Sequence, residues 1–197
     1  MAAEVHLYER LAALLDYPSE HTASHLEACL SALRDCSPEA AEMLAGWHVF
    51  LGGNPVCSVQ ELYTHTFDIN PSCPLDVGYY LFGEDYQRGV FLACLRESQE
   101  EVGLTGEREL PDHLPVVLRW LARVYGTELH TDMVCECVLP ALRKMDESLA
   151  NGTNPYRGVL QAVALVLARD LPEQAIRPAG GDSVALAAAP PCAGGVA

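Results

Sequence analysis

Asp112 and His113 place a carboxylate beside an imidazole, between Pro111 and Leu114-Pro115. Asp112 can cap the free N–H groups of a new helix, while His113 in its first turn offers a polar contact at the mouth of a cleft. Tyr63, Phe67 and Asp68 lie at i, i+4 and i+5, so a helix would put two rings on one face and an acid at its end. Asp85 and Arg88, at i and i+3, are spaced to pair, and Gly89 beside them would admit a close helix. Eight cysteines and seven histidines raise the question of a metal. The spacings argue against one. Cys135-Glu136-Cys137 has a single intervening residue, and no C-x2-C pair with a distant second pair is present. His21 and His25 would share a helix face, and His130 and Cys135 lie five apart, without a third ligand nearby. A phosphate loop, a dinucleotide fingerprint, a nucleophile elbow and an H-E-x-x-H pair are all missing. The expectation is no catalytic residue, no metal and no cofactor.

The elements that must position these groups read as helices. Val5 to Leu15 carries Leu7, Tyr8, Leu11, Leu14 and Leu15 on one face. Ser19 is read as the cap of a second helix with Leu26, Cys29, Leu30 and Leu33. Ser37-Pro38 starts a third through Ala40, Leu44, Trp47 and Leu51 to Gly52-Gly53. Ser58-Val59-Gln60-Glu61 reads as a capping box ahead of Leu62, Tyr63 and Phe67. Two prolines between Asp68 and Asp76 force a long loop, a hinge at which domain swapping is conceivable. Helical stripes return over 84–102, 112–125 and 131–149, and Asn154-Pro155 starts a last helix through Tyr156, Val159, Leu160, Val163 and Leu167. No run of β-branched and aromatic residues alternates with period two, so the fold class is all-α: one globular helical bundle over 1–175. The Ala-, Gly- and Pro-rich segment 176–197 is expected to be disordered.

Twenty-seven acidic residues against twelve basic ones give a formal charge of -15. That excludes a nucleic-acid or anionic-membrane surface, which needs clustered Lys and Arg, and favours a cationic partner. No apolar run is long enough to span a bilayer, and the N-terminus lacks the pattern of a signal peptide. A cytoplasmic location is expected, where disulfides are rare, with most cysteines in the core. Asn151-Gly152-Thr153 is then a turn rather than a glycosylation site.

Three blocks in order, Tyr63-Thr64-His65-Thr66-Phe67-Asp68, Asp85-Tyr86-Gln87-Arg88-Gly89 and Glu109-Leu110-Pro111-Asp112-His113-Leu114-Pro115, resemble the NarJ branch of the TorD/DmsD family of molybdoenzyme assembly chaperones. The likeness extends over roughly residues 4 to 170 and implies a TorD-like helical bundle that does no chemistry on a small molecule. It implies a system-specific chaperone that binds the N-terminal segment of a respiratory molybdenum enzyme and assists molybdenum cofactor insertion before membrane docking or twin-arginine export. The implied partner is the catalytic subunit of a molybdopterin-dependent oxidoreductase, with cofactor-delivery proteins as further candidates. The candidate peptide-binding residues are Tyr63, Phe67, Asp68, Arg88, Pro111, Asp112, His113 and Leu114, and the resemblance itself implies that Pro111, Asp112 and His113 line the groove. In that reading Tyr63, Phe67 and the apolar edge after Leu114 bury peptide side chains, while Asp68 and Asp112 face basic ones.

Plainer roles stand beside these. Asp112 and His113 would start a helix in any case, Tyr63 and Phe67 have the spacing of core residues, and Arg88 that of a packing pair with Asp85. The loop Ile69 to Asp76 and the aromatic Tyr79-Tyr80-Leu81-Phe82 depart from the family pattern and mark a divergent subgroup, so the client and its leader type stay open. The rivals are a small helical enzyme or metal-dependent sensor using His21, His25, His113 and the cysteines, and a helical subunit that stays with a redox complex.

Overall fold

The α8 helix, Leu114–Arg123, sits at the centre because it is apolar nearly all round: Leu114, Val116, Val117, Leu118, Trp120, Leu121 and Ala122 are all buried. Removing each large side chain from water contributes about 1.5–3 kcal/mol, so this helix anchors its neighbours. The computed structural model describes residues 2–172 except 70 and 107, and for residues 2–6 the backbone alone. α1 (Ala2–Leu14) lays Leu7, Tyr8, Leu11 and Leu14 against α8 and against α2 (Thr22–Cys36). α3 (Pro38–Met43) and α4 (Ala45–Gly53) lead to α5 (Val56–Tyr63), which runs into a π-helical turn at Thr64–Asp68. After the loop come α6 (Val77–Phe82) and α7 (Tyr86–Glu101). Beyond α8, α9 (Glu128–Met133) passes through a second π-turn, Val134–Val138, into α10 (Leu139–Leu149), and α11 (Tyr156–Arg169) closes the domain against α3 and α10. The structure is 73% helical in a single helical domain, and the described residues hold no strand, which settles the all-α class. No helix among them is long and apolar enough to cross a membrane.

Several local expectations change. Ser58 does not cap α5: Pro55 in an extended conformation turns the chain, and the amides of Ser58 and Val59 both bond its carbonyl, so Ser58 is already helical. Ser19 lies outside α2; its hydroxyl accepts from the His21 amide, and the helix begins at Thr22. The helix expected from Ser37 to Gly53 breaks at Leu44, where α11 crosses so closely that a Cβ on Gly158 would lie 2.2 Å from the Met43 carbonyl oxygen. α6 was not expected, because six residues show too little of a 3.6-residue period to read. The helix expected over 131–149 is continuous with its π-turn: Pro140 has no N–H for the Glu136 carbonyl, and the Leu139 amide reaches back five residues to Val134. The segment 176–197 lies outside the described residues.

Candidate functional site

The Pro111–Leu114 segment is tied to the loop before α6 by two backbone hydrogen bonds. The Val77 amide donates to the Asp112 carbonyl and the Leu114 amide to the Leu75 carbonyl, each 2.9 Å, forming an isolated antiparallel bridge between Asp76 and His113. Pro111 is buried and its carbonyl accepts from the Gln99 amide group at 2.8 Å. Leu114 is fully buried in the core.

Asp112 does not cap its own helix. Its side chain is 0% exposed and turns across the bridge, where Oδ2 accepts from the Gly78 amide and from Arg88 Nε, both at 3.1 Å. The other oxygen, Oδ1, is buried with no hydrogen-bond partner. Burial, reinforced by the nearby Asp76 charge, raises the Asp112 pKa against the opposing pull of Arg88 and the Gly78 amide. Only a glycine fits at 78: a Cβ there would lie 2.7 Å from Asp112 Oδ2 and 3.1 Å from the Phe91 ring.

Arg88 does not pair with Asp85. The Asp85 carboxylate accepts from the Gln87 amide at 2.9 Å and caps α7, while Arg88 turns inward. Its Nη2 stands 3.1 Å from Asp112 Oδ2 and 3.4 Å from Asp76 Oδ2, at ion-pair distance without hydrogen-bond alignment. Asp76 also faces His113, with Oδ1 3.6 Å from Nδ1. Contact with His113, then the Arg88 charge, lowers the Asp76 pKa against its partial burial. Gly89 has open space where its Cβ would be, so no helix approaches it closely.

Tyr63 and Phe67 are core residues, 5% and 6% exposed. Their rings meet edge to face at 5.0 Å and both pack on Tyr156, which in turn lies 4.2 Å from Trp47. The Tyr63 hydroxyl donates to the Leu15 carbonyl at 3.2 Å, and burial keeps the phenol protonated. In this conformation neither ring is open to a ligand. Asp68, one residue on, is exposed; partial burial and the Glu109 charge raise its pKa while His113 lowers it. Exposed Ile69 and Leu110 adjoin Asp68 and Glu109 in the chain, and exposed Tyr17 meets the Tyr63 ring edge-on at 5.4 Å.

The structure therefore gathers Arg88, Asp112 and His113 around the bridge, with Pro111 and Leu114 buried beside them in the chain, leaves Asp68 exposed, and packs Tyr63 and Phe67 in the core against Tyr156. Sequence reading missed Asp76, Gly78 and Glu109. A lone glycine inside the apolar run Val77-Gly78-Tyr79-Tyr80 was the available signal for a close approach. His21 and His25 sit 6.4 Å apart by ring centroid on an exposed face, and no group of three His, Cys, Asp or Glu side chains able to hold a metal occurs among the described residues. A separate open cleft of about 690 Å³ lies between α3, α10 and α11, lined by Met43, Leu142, Leu160 and Leu165 with Glu39 and Glu42 at its margin.

Comparison with known proteins supplies the family. A protein of Bacillus subtilis (strain 168), named as a probable nitrate reductase molybdenum cofactor assembly chaperone NarJ, is 29% identical over 162 residues, which covers 81% of this chain and 87% of that one. The nitrate reductase molybdenum cofactor assembly chaperone NarJ of Escherichia coli (strain K12) is 31% identical over 120 residues, 58% of this chain and 50% of the relative. The chain thus spans about half the length of the Escherichia coli protein. A crystal structure from Archaeoglobus fulgidus, described as a candidate redox enzyme maturation protein, superposes with a TM-score of 0.58 at 20% identity, covering 84% of this chain and 93% of that one, and so shares the fold. The family described as "Nitrate reductase delta subunit" matches residues 33–157, well over half the chain and all three sequence blocks, and the protein belongs to that family.

Proposed function

We propose that this protein is a non-enzymatic assembly chaperone for a nitrate-reductase-type molybdenum enzyme, binding the N-terminal segment of the catalytic subunit while the molybdenum cofactor is inserted. The observation that carries this reading is the family match together with relatives named as molybdenum cofactor assembly chaperones at 29% and 31% identity. The residues supply a suitable chemistry. Asp68 and Glu109 are exposed carboxylates on a chain of net charge -15, fit to receive basic side chains of the client. His113 offers a polar contact beside them, and Ile69 and Leu110 give the apolar anchors that a peptide needs. Asp112, Arg88 and Gly78 hold the bridge that carries His113, and Tyr63, Phe67 and Leu114 are buried in the core. A cytoplasmic location, and release before membrane docking or twin-arginine export, complete the reading.

The test is calorimetric titration of the full-length protein with a peptide of the N-terminal ~30 residues of the catalytic subunit from the same cell. Wild type is compared with Asp68→Asn and His113→Ala, each checked by circular dichroism. Weakened binding by both folded variants is the expected result. Unchanged binding, with loss instead on Leu142→Asp or Leu165→Asp, would move the peptide to the cleft between α3, α10 and α11. No binding by wild type would refute the N-terminal-segment reading, and co-purification with the finished enzyme in fixed stoichiometry would favour a stable subunit.

A further inference from the structure

Arg88 faces two carboxylates on two separate segments. Asp76 belongs to the loop before α6 and Asp112 to the turn before α8, and those segments are joined by only the two bridge hydrogen bonds among backbone groups. The guanidinium sits between them, 3.1 Å from Asp112 and 3.4 Å from Asp76, and its side chain is only 19% exposed. Without it, a fully buried carboxylate with one unpartnered oxygen would face a second carboxylate across the bridge. Removing one member of a buried pair leaves the other uncompensated, which costs far more than the pair itself contributes. The segments would then separate at the point where His113 rests on Asp76.

We infer that Arg88 is a positioning residue for the client-binding edge: it clamps Asp76 to Asp112, keeps the 75–77 and 112–114 segments paired, and so sets the pose of His113 without touching the client. The inference rests on the function proposed above. It reassigns Arg88 from ligand contact to internal clamp, and the same geometry explains why the residue at 78 is glycine: its amide and its lack of a Cβ both serve Asp112 Oδ2.

The test uses the full-length protein and the synthetic N-terminal peptide of the catalytic subunit, with three variants: Arg88→Gln, Arg88→Lys, and Arg88→Gln combined with Asp112→Asn. Affinity is read by calorimetry and the clamp by hydrogen exchange at the Val77 and Leu114 amides, with amides inside α1 and α8 as a reference for global stability. Arg88→Gln should accelerate exchange at Val77 and Leu114 selectively. If the paired arrangement falls to about a tenth of the population, the apparent Kd rises about tenfold. Arg88→Lys keeps the charge but reaches one carboxylate at a time, so it should be intermediate, and it carries the comparison if Arg88→Gln does not fold. The double variant replaces the ion pair by neutral amides and should recover both slow exchange and most of the affinity, although the guanidinium is gone. Recovered exchange with affinity still lost would overturn the inference, because the guanidinium itself would then be meeting the client. Faster exchange in Arg88→Gln with unchanged affinity would overturn it too. Failure of wild type to bind would defeat the functional reading and the role in client binding with it, while the exchange data would still report whether Arg88 holds the bridge.

Discussion

Gly78→Ala tests the bridge by adding a single methyl group. Elsewhere in a helix the change would be favourable, by up to about 1 kcal/mol, because alanine loses less backbone entropy. At 78 the new Cβ would stand 2.7 Å from Asp112 Oδ2, 3.1 Å from Phe91 Cδ1 and 3.4 Å from Arg88 Cγ. The carboxylate is short, buried and held by the Gly78 amide and by Arg88, so it can yield only by giving up those bonds. Overpacking costs about 1–3 kcal/mol, and a lost hydrogen bond to a charged group about 1.5–3 kcal/mol. After a propensity gain of about 1 kcal/mol, a net loss of about 1.5–5 kcal/mol is expected, a large part of the ~5–15 kcal/mol that holds a domain together. Gly89→Ala is the control: it is one residue from Arg88, with nothing within 4 Å of its added Cβ, and it should be neutral to stabilising. Urea unfolding of both variants, at constant m-value, reads the difference directly. A Gly78→Ala protein as stable as Gly89→Ala would refute the close packing of Asp112 on the start of α6.

Three further outcomes are expected. Gly158→Ala should be destabilised by ~3 kcal/mol or more in urea unfolding, since its Cβ would meet the Met43 carbonyl at 2.2 Å and neither backbone can turn away as a side chain would. His130 is 2% exposed, with Nε2 3.2 Å from the Tyr8 hydroxyl, and burial lowers its pKa to about 4. Because the unfolded chain takes up the proton first, stability should fall as pH drops from about 6.5 towards 4, by about 2 kcal/mol between pH 7 and 5. A pH slope identical in His130→Gln would contradict that assignment. Client binding should weaken as salt rises, because the Debye length is only ~8 Å at physiological ionic strength, and calorimetry that found affinity indifferent to salt would remove the electrostatic role of Asp68 and Glu109.

Much of the site was legible as location but not as wiring. The sequence pointed to Arg88, Asp112 and His113, and the fold brings these three together at the Asp76–His113 bridge. What each does differs from the nearest local option. Asp112 had the position of an N-cap and Arg88 the spacing for Asp85, yet the two join each other across 24 residues, and Asp112 reaches the Gly78 amide across 34. A cap or an i, i+3 pair is exposed and gains little, whereas a buried carboxylate must find partners wherever packing brings them. The aromatic spacing of Tyr63 and Phe67 suited either a groove wall or a core. Tyr156 decided for the core, since its ring, packed in turn on Trp47, meets both of theirs.

The sequence by itself determined the helical class, the apolar stripes of α1, α2, α8 and α11, the break at the two prolines after Asp68, and the acidic balance. Those properties depend on groups within one or two turns of each other, where a period of 3.6 residues and the missing proline N–H act directly. The tertiary structure alone decided that Arg88 clamps Asp76 to Asp112, that Gly78 and Gly158 mark the closest approaches, and that Tyr63 and Phe67 face inward. Partner choice for a buried charge, and the room left beside a glycine, follow from how three or more elements meet, and no local spacing encodes that meeting.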